Sequence, residues 1–313
     1  MLFKKWVDQR GEMSLQPREI MAHHAKSFYW ASQFLSPVTF DRVASLYSFC
    51  RHIDDAVDRN SLEEGQRQLT QIGAEMQGLE VPRAEVRALL DLMVETKIPV
   101  EWPLQLWLGA ESDLTGVDIQ TEADLLVYSY RVAGVVGLMM CPLLGVYDRR
   151  AWPFAIDLGI AMQLTNICRD VGEDAEIGRN YLPAEWWQLS AGRYPTVADL
   201  VPRAVNLAEI YYESGRQGYP FIPWRERLAI AVAARVYRGI GLKVLKDPGQ
   251  VMSKRVYLTK WEKIYWTLVG LKDFFVSLRQ SGVGQARAHQ QHLHKTLRNL
   301  PGVVEDKPVG VQL

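Results

Sequence analysis

The sequence from Phe154 to Asp174, FAIDLGIAMQLTNICRDVGED, decides the fold. Its apolar residues recur at helical spacing, which predicts a helix buried in a protein core. Asn166, Asp170 and Asp174 lie four residues apart within it. Residues with this spacing share one helical face, so their side-chain oxygens would form a single column.

A second column of the same kind lies earlier, in the sequence RHIDDAVD from Arg51 to Asp58. Asp54 and Asp58 are again four residues apart, and Arg51 precedes them by about one turn. One such pair is common on a solvated helix face. Two pairs set in apolar helices are unusual, because buried carboxylates are costly unless cations compensate them. All-oxygen ligands favour hard divalent ions, so the two columns predict a shared Mg²⁺ cluster.

The rest of the chain also has helical spacing, from about residue 16 to residue 279, without the alternation typical of strands. We therefore predict an all-α, single-domain protein, with its catalytic domain at residues 1–281. Gly134 and Gly137 interrupt a long apolar helix, where we expect another helix or a ligand to approach closely. Residues 282–313 are polar and basic, which predicts a mobile tail.

The composition argues against several classes of function. The 313 residues include 36 Lys and Arg and 36 Asp and Glu, so nothing favours a nucleic-acid partner. The three cysteines lie in apolar helical contexts, as expected for reduced residues of a cytoplasmic protein. We expect neither a signal peptide nor a transmembrane helix. The absence of a P-loop and of clustered histidines near the aspartates argues against nucleotide phosphoryl transfer and zinc hydrolysis.

The predicted ion cluster is suited to a diphosphate. Mg²⁺ neutralises a diphosphate leaving group, and cationic side chains bind the remaining oxygens. The carbocation that is left needs a dry cavity with aromatic faces. These requirements predict ionisation of an allylic diphosphate. The candidate cations are Lys26, Arg51, Arg169, Arg179 and Arg255, and the candidate aromatic residues include Phe28, Tyr47, Tyr128 and Tyr237.

Several segments together resemble the squalene/phytoene synthase family over about residues 16–280, most closely its bacterial phytoene synthases. The matching segments are His24–Tyr29, Tyr47–Asp58, Tyr128–Gly137, Gln163–Asp174, Arg179–Pro183, Tyr237 and Lys254–Tyr257. The resemblance implies an isoprenoid-synthase helical bundle around a central cavity, with Mg²⁺, or Mn²⁺ as a substitute, at both aspartate motifs. Ala25 and Asn180 depart from the family pattern, and neither is a predicted metal ligand.

The resemblance also implies a reaction. Two geranylgeranyl diphosphates would condense head to head, through a cyclopropylcarbinyl diphosphate (prephytoene diphosphate), to phytoene, the first committed step of carotenoid biosynthesis. The implied catalytic residues are Tyr47, Arg51, Asp54, Asp58, Tyr128, Gln163, Asp170 and Asp174. The implied metal ligands are Asp54, Asp55, Asp58, Asn166, Asp170 and Asp174. The diphosphate-binding residues are expected to be Lys26, Ser27, Arg51, Arg169, Tyr237 and Arg255.

Two other functions stay open at this stage. A C30 synthase would make squalene, hydroxysqualene or dehydrosqualene from farnesyl diphosphate, and a non-catalytic assembly protein could keep the fold alone. Ser32 and Ala44 are small and share helical faces with Phe28 and the first aspartate column. We expect them to leave a deep prenyl-tail channel, which favours the C20 substrate. No dinucleotide-binding glycine motif is present, so we expect no NADPH.

The last predicted helix, residues 259–279, is rich in aromatic residues and leucine and precedes the basic tail. It predicts peripheral contact with the inner face of a membrane, without insertion. The alternative is that this helical face packs in the core. Because the expected product is insoluble in water, we also expect direct handover to a downstream desaturase.

Overall fold

The computed structural model describes residues 16–58, 61–188, 193–279 and 288–303, and within them the regular structure is helical and contains no strand. The prediction of an all-α fold is confirmed. The helices are α1 Pro17–His24, α2 Lys26–Ser32, α3 Pro37–Asp58, α4 Leu62–Met76, α5 Ala84–Thr96, α6 Glu101–Thr115, α7 Glu122–Ser129, α8 Val135–Leu143, α9 Trp152–Glu176, α10 Val197–Arg216, α11 Trp224–Val244 and α12 Lys260–Arg279.

Helix α9 lies at the centre of the bundle and packs against α8, α10 and α11. Its apolar residues Ile156, Ile160, Leu164 and Ile167 are at most 3% exposed. Burying one aliphatic side chain of this size contributes about 1.5–3 kcal/mol relative to leaving it exposed. The apolar residues therefore fix the rotation of α9 about its axis, and with it the direction of the polar column that begins at Asn166.

Close backbone contact between α9 and residues 133–137, at the start of α8 and just before it, depends on glycine. A Cβ atom at Gly137 would lie 2.1 Å from the carbonyl oxygen of Ala155, and one at Gly159 would lie 2.3 Å from that of Ala133. Any larger residue would force the helices apart. The close approach predicted at Gly137 is confirmed.

One π-helical turn, Tyr130–Gly134, joins α7 to α8. A π-turn inserts an extra residue and changes which side chains face the core, and such turns are frequent at functional sites. The run Glu122–Leu143 is long and apolar enough to cross a membrane, but 61% of its most apolar window is buried in the bundle. This run, which lies within the described residues, is therefore buried to the extent expected of a core helix.

Residues 288–303 pack onto the bundle, which differs from the mobile tail expected there. Leu293 and Leu297, four residues apart around a 3₁₀ turn, are 8% and 0% exposed. The hydroxyl of Tyr211 donates a hydrogen bond to the carbonyl oxygen of Leu293 at 3.0 Å. Polar residues surround this apolar pair in the sequence, so the local composition does not indicate its burial. The predicted boundary at residue 281 and the rest of the tail lie outside the described residues.

Candidate active site

A cavity of about 880 Å³ lies inside the bundle, walled mainly by α2, α3, α8, α9 and α11. Most of its wall is apolar. A second pocket, of about 230 Å³, adjoins it and is strongly polar. The two share part of their walls, including Asp54, Asp113, Tyr128 and Asn166. We call them the apolar cavity and the carboxylate pocket.

The carboxylate pocket is formed where α3 faces α9. Asp54 and Asp58 line it from α3, and Asn166, Asp170 and Asp174 line it from α9. The structure thus brings together the two columns inferred from the sequence. Each column is presented by the helical repeat, because residues four apart point in nearly the same direction.

The pocket carries more negative charge than its arginines compensate. Burial, partly offset by Arg51 and reinforced by Asp58, raises the pKa of Asp54 to about 7. Asp54 is exposed toward the pocket by its accessible surface, while the surrounding helices place it deep within the protein. Burial also raises the pKa of Asp174 to about 7, with Asp170 adding to the shift. A bound cation would relieve this repulsion.

Arginines pair with some of the pocket carboxylates. Arg179 Nη1 lies 2.7 Å from Asp58 Oδ1, and Arg169 donates from Nε to Asp170 Oδ1 at 2.7 Å. Arg255 Nε lies 3.0 Å from the same oxygen of Asp170. Three arginines therefore lie beside the carboxylate pocket, where they can bind an anionic substrate.

The side-chain amide oxygen of Asn166 indicates that the carboxylate pocket suits a metal ion. Its Oδ1 is buried and has no hydrogen-bond partner within the described part of the chain, while its Nδ2 donates to Gln163 Oε1 at 3.3 Å. A buried amide oxygen without a donor is costly. Together with the carboxylates it makes an all-oxygen ligand set, which fits Mg²⁺ or Mn²⁺.

Asp113, at the end of α6, is a site residue outside the set predicted from the sequence. It accepts hydrogen bonds from Tyr181 at 2.9 Å and from Tyr128 at 3.1 Å. Burial raises its pKa to about 6, although both tyrosines and Arg179 oppose the shift. The sequence does indicate that Asp113 is buried, because it continues the buried face of Trp102, Leu106 and Ala110 at helical spacing. The pattern of paired carboxylates does not include Asp113, because no second carboxylate lies three or four residues from it.

Most of the predicted substrate-binding residues border the apolar cavity. Lys26, Ser27, Phe28 and Ser32 line it from α2, and the Phe28 ring lies 4.5 Å from that of Tyr237. The remaining lining residues among those predicted are Tyr47, Tyr128, Gln163, Arg169, Tyr237 and Arg255. Burial raises the pKa of Tyr237, which keeps its hydroxyl protonated.

Three predicted residues lie elsewhere. Arg51 forms an ion pair with Asp55, four residues along α3, and neither borders the cavity or the pocket. Their mutual attraction across one helical turn accounts for this arrangement. Ala44 is fully buried in an apolar cluster with Phe40 and Val43, behind the cavity wall. The expected channel position of Ala44 therefore differs from the position observed.

Comparison with known proteins is consistent with this geometry. The squalene/phytoene synthase family profile matches residues 21–262. The chain belongs to the squalene/phytoene synthase family. The resemblance inferred from the sequence motifs is thereby confirmed.

Individual relatives of this squalene/phytoene synthase family member match over most of their length. It is 34% identical over 297 residues to a 15-cis-phytoene synthase of Paracoccus sp., covering 88% of this chain and 96% of the relative. It is 37% identical over 269 residues to a phytoene synthase of Pseudescherichia vulneris, covering 79% and 87%. A solved dehydrosqualene synthase superimposes with a TM-score of 0.67 at 29% identity, covering 84% and 95%.

Proposed function

We propose that the protein is a phytoene synthase. This prenyltransferase condenses two geranylgeranyl diphosphates head to head, through prephytoene diphosphate, to phytoene, the first committed step of carotenoid biosynthesis. The observation that carries the proposal is the junction of the two cavities: five carboxylates gather beside an apolar space of about 880 Å³. A diphosphate held at the carboxylate pocket would have its prenyl chain in the apolar cavity. The names of the similar proteins support the same reaction.

The carboxylate pocket would hold the divalent ions. Asp54, Asp58, Asn166, Asp170 and Asp174 supply its oxygen ligands. When bound, Mg²⁺ neutralises the departing diphosphate and lowers the barrier to breaking its C–O bond. Asp55, which is paired with Arg51, would be a ligand only after that pair opens.

Cationic and hydroxyl groups would hold the diphosphate at the junction. Arg169 and Arg255 already meet at Asp170, and Lys26 and Ser27 lie at the first turn of α2. Arginine binds phosphate oxygens through two parallel hydrogen bonds, which fixes the position of the leaving group. Arg51 would join them by exchanging Asp55 for phosphate.

The apolar cavity would protect the carbocations from water. The C1–O bond of the first substrate breaks as its diphosphate leaves, C1 then bonds to the double bond of the second substrate, and loss of a proton closes the cyclopropane ring. After the second ionisation the ring rearranges to a linear chain, and loss of another proton makes the central double bond without NADPH. The aromatic faces of Phe28 and Tyr237 stabilise positive charge along this route. Tyr47, Tyr128 and Gln163 border the same space.

A C30 synthase is the second candidate, because a dehydrosqualene synthase has a similar structure. The choice depends on the length of the prenyl channel. Ser32 lines the cavity and is small, which supports the C20 substrate. The two functions are distinguished by supplying geranylgeranyl and farnesyl diphosphate together with Mg²⁺ and determining the molecular mass of the hydrocarbon product. A C40 product supports phytoene synthesis, whereas a C30 product supports the second candidate.

The exposed face of α12 supports contact with a membrane. Trp261, Tyr265, Leu268 and Phe275 are between 58% and 79% exposed, whereas Phe274, on the opposite face, is 6% exposed. Isolated exposed apolar residues are normal, but a group on one helix marks an interaction surface. The protein would thus lie peripherally on the inner face of the cytoplasmic membrane and release phytoene toward a desaturase.

Liposome flotation tests this contact. Truncation after residue 281 would also remove the packed residues 288–303, so substitutions within α12 are cleaner. We expect Leu268→Ser with Phe275→Ser to abolish flotation with anionic vesicles. Val81→Ser, at an exposed apolar residue between α4 and α5, should float like the wild type. Equal recovery of the double variant and the wild type with the vesicles would contradict the membrane role of α12.

A further inference from the structure

A second group of potential metal ligands lies away from the carboxylate pocket, around Asp157 in the first half of α9. Asp157 is nine residues before Asn166, a distance of roughly 14 Å along a helix. Its side chain is 0% exposed and borders neither the apolar cavity nor the carboxylate pocket. Neither the proposed binding of diphosphate nor its ionisation uses this residue.

Two histidines from the C-terminal segment converge on the Asp157 carboxylate. His289 Nε2 lies 2.8 Å from Oδ2, and His294 Nε2 lies 2.7 Å from Oδ1. The three ligand atoms all lie within 4.8 Å of one another. The side chain of His294 is 6% exposed and that of His289 is 11% exposed. The group is therefore enclosed by protein and brought together by the fold, across more than 130 residues of sequence.

The surroundings hold the group in place. Ser214 donates a hydrogen bond from Oγ to Asp157 Oδ2. The Phe154 ring meets the His289 ring edge to face, with centroids 5.4 Å apart. Metal sites in proteins are commonly supported in this way, by hydrogen bonds to the ligating carboxylate and by apolar contacts around it.

The charge of Asp157 also suits a cation. Burial alone would raise its pKa, but hydrogen bonds from His289 and His294 outweigh burial and hold the pKa below its usual value. Two imidazole nitrogens and one carboxylate form a ligand set preferred by Zn²⁺ and its neighbours, in contrast to the all-oxygen set of the carboxylate pocket.

We propose that Asp157, His289 and His294 form a binding site for a divalent transition-metal ion of the Zn²⁺ class, which fastens the C-terminal segment to α9. A tetrahedral Zn²⁺ with ligands near 2.1 Å separates its ligand atoms by about 3.4 Å. The observed separations of 2.7 and 2.8 Å would need to open by about 0.6 Å. Both histidines lie on one short segment, so a small shift of that segment suffices. Water completes the coordination.

Fastening this segment has a consequence for the bundle. The hydroxyl of Tyr130 donates to the carbonyl oxygen of Pro301, and the next residue, Gly302, packs against Leu138 and Trp102. The segment therefore bridges α9 to α6 and α8. An ion that binds only the folded arrangement stabilises it by mass action. The site is predicted to affect stability without taking part in the reaction.

Zinc titration of the full-length protein tests the proposal. After removal of metals with EDTA, Zn²⁺ is added with Mg²⁺ in excess, and bound zinc and the melting temperature are measured. We expect one tightly bound Zn²⁺ and a rise in Tm in the wild type. His294→Ala should weaken this binding by more than about 100-fold, since loss of a mere supporting contact already costs 10- to 100-fold. His292→Ala is the matched control, because His292 lies on the same segment but is exposed.

A second variant covers failure of His294→Ala to fold. His289→Gln keeps a donor for Asp157 but replaces the imidazole ligand, so it should retain the wild-type Tm without zinc and lose the zinc-dependent rise. Co²⁺ substitution should give the visible absorption of a tetrahedral site in the wild type and in His292→Ala only. The proposal is overturned if all variants bind Zn²⁺ alike, or if Zn²⁺ does not raise the Tm of the wild type. Asp157 then holds the histidines by hydrogen bonds alone.

Discussion

The hydroxyl of Tyr128 donates to the carboxylate of Asp113, at 3.1 Å from Oδ1 and 3.2 Å from Oδ2. Tyr181 donates to the same carboxylate, and its ring stacks on that of Tyr128 with centroids 5.0 Å apart. Asp113 therefore fixes two aromatic side chains at the junction of the apolar cavity and the carboxylate pocket. We infer that it is a positioning residue for Tyr128.

Asp113→Asn should lower kcat by roughly 10- to 100-fold, because hydrogen bonds to a charged group contribute about 1.5–3 kcal/mol. An amide accepts from one tyrosine but offers a donor to the other, so Tyr128 loses its fixed position. KM should change less than kcat if substrate binding is retained. Asp118→Asn, at an exposed carboxylate in the loop after α6, is the control. Wild-type kcat in Asp113→Asn would exclude a positioning role.

Asp54→Asn and Asp170→Asn should each reduce turnover by at least about 100-fold while the fold stays intact, since each removes a charged ligand that stabilises the leaving group. Circular dichroism and melting curves monitor the fold. Asp41→Asn, at an exposed position on α3, should behave as wild type. Near wild-type turnover of either variant at saturating Mg²⁺ would refute the metal assignment.

The stability of the metal-free protein should depend on pH through Asp54 and Asp174. Their pKa values, about 7, exceed the usual 3.8. Such groups favour the folded state most below the unfolded pKa and lose that contribution as pH rises through the folded pKa. With EDTA we therefore expect Tm to fall as pH rises from about 4 to about 7, and Mg²⁺ to raise Tm more at the higher pH.

Asp54→Asn provides the control for this pH dependence. It removes one of the two titrating carboxyl groups, so the metal-free Tm should fall less steeply over the same pH range. An Mg²⁺-induced rise in Tm that is equal near both pH values would contradict the link between these carboxylates and the ion.

Ser32→Phe should shift the preference from the C20 toward the C15 diphosphate, because the larger ring would fill part of the apolar cavity that Ser32 lines. The measurement is kcat/KM for both diphosphates. Gln33→Phe places the same ring on the exposed neighbouring position and should leave the preference unchanged. The role of Ser32 is wrong if the wild type prefers C15 or if its Phe variant keeps the wild-type preference.

The fold and both aspartate columns could be predicted because helical periodicity is a local property. Asn166, Asp170 and Asp174 share a face whatever α9 packs against. The pairing of particular side chains could not be predicted in this way. Arg51 has both Asp54 and Asp55 within reach on its own helix, three and four residues away, and helical spacing alone does not choose between them. The pairing of Asp157 with His294 spans 137 residues, and no periodicity in the sequence connects them.

Product analysis tests the central claim most directly. The full-length protein is incubated with geranylgeranyl diphosphate and Mg²⁺ without NADPH, and in parallel with farnesyl diphosphate, and the hydrocarbons are identified by mass. We predict phytoene, a C40 hydrocarbon, as the main product, with a higher kcat/KM for the C20 substrate and no product when EDTA replaces Mg²⁺. A C30 product formed with the higher kcat/KM, a strict requirement for NADPH, or undiminished turnover in EDTA would contradict the account.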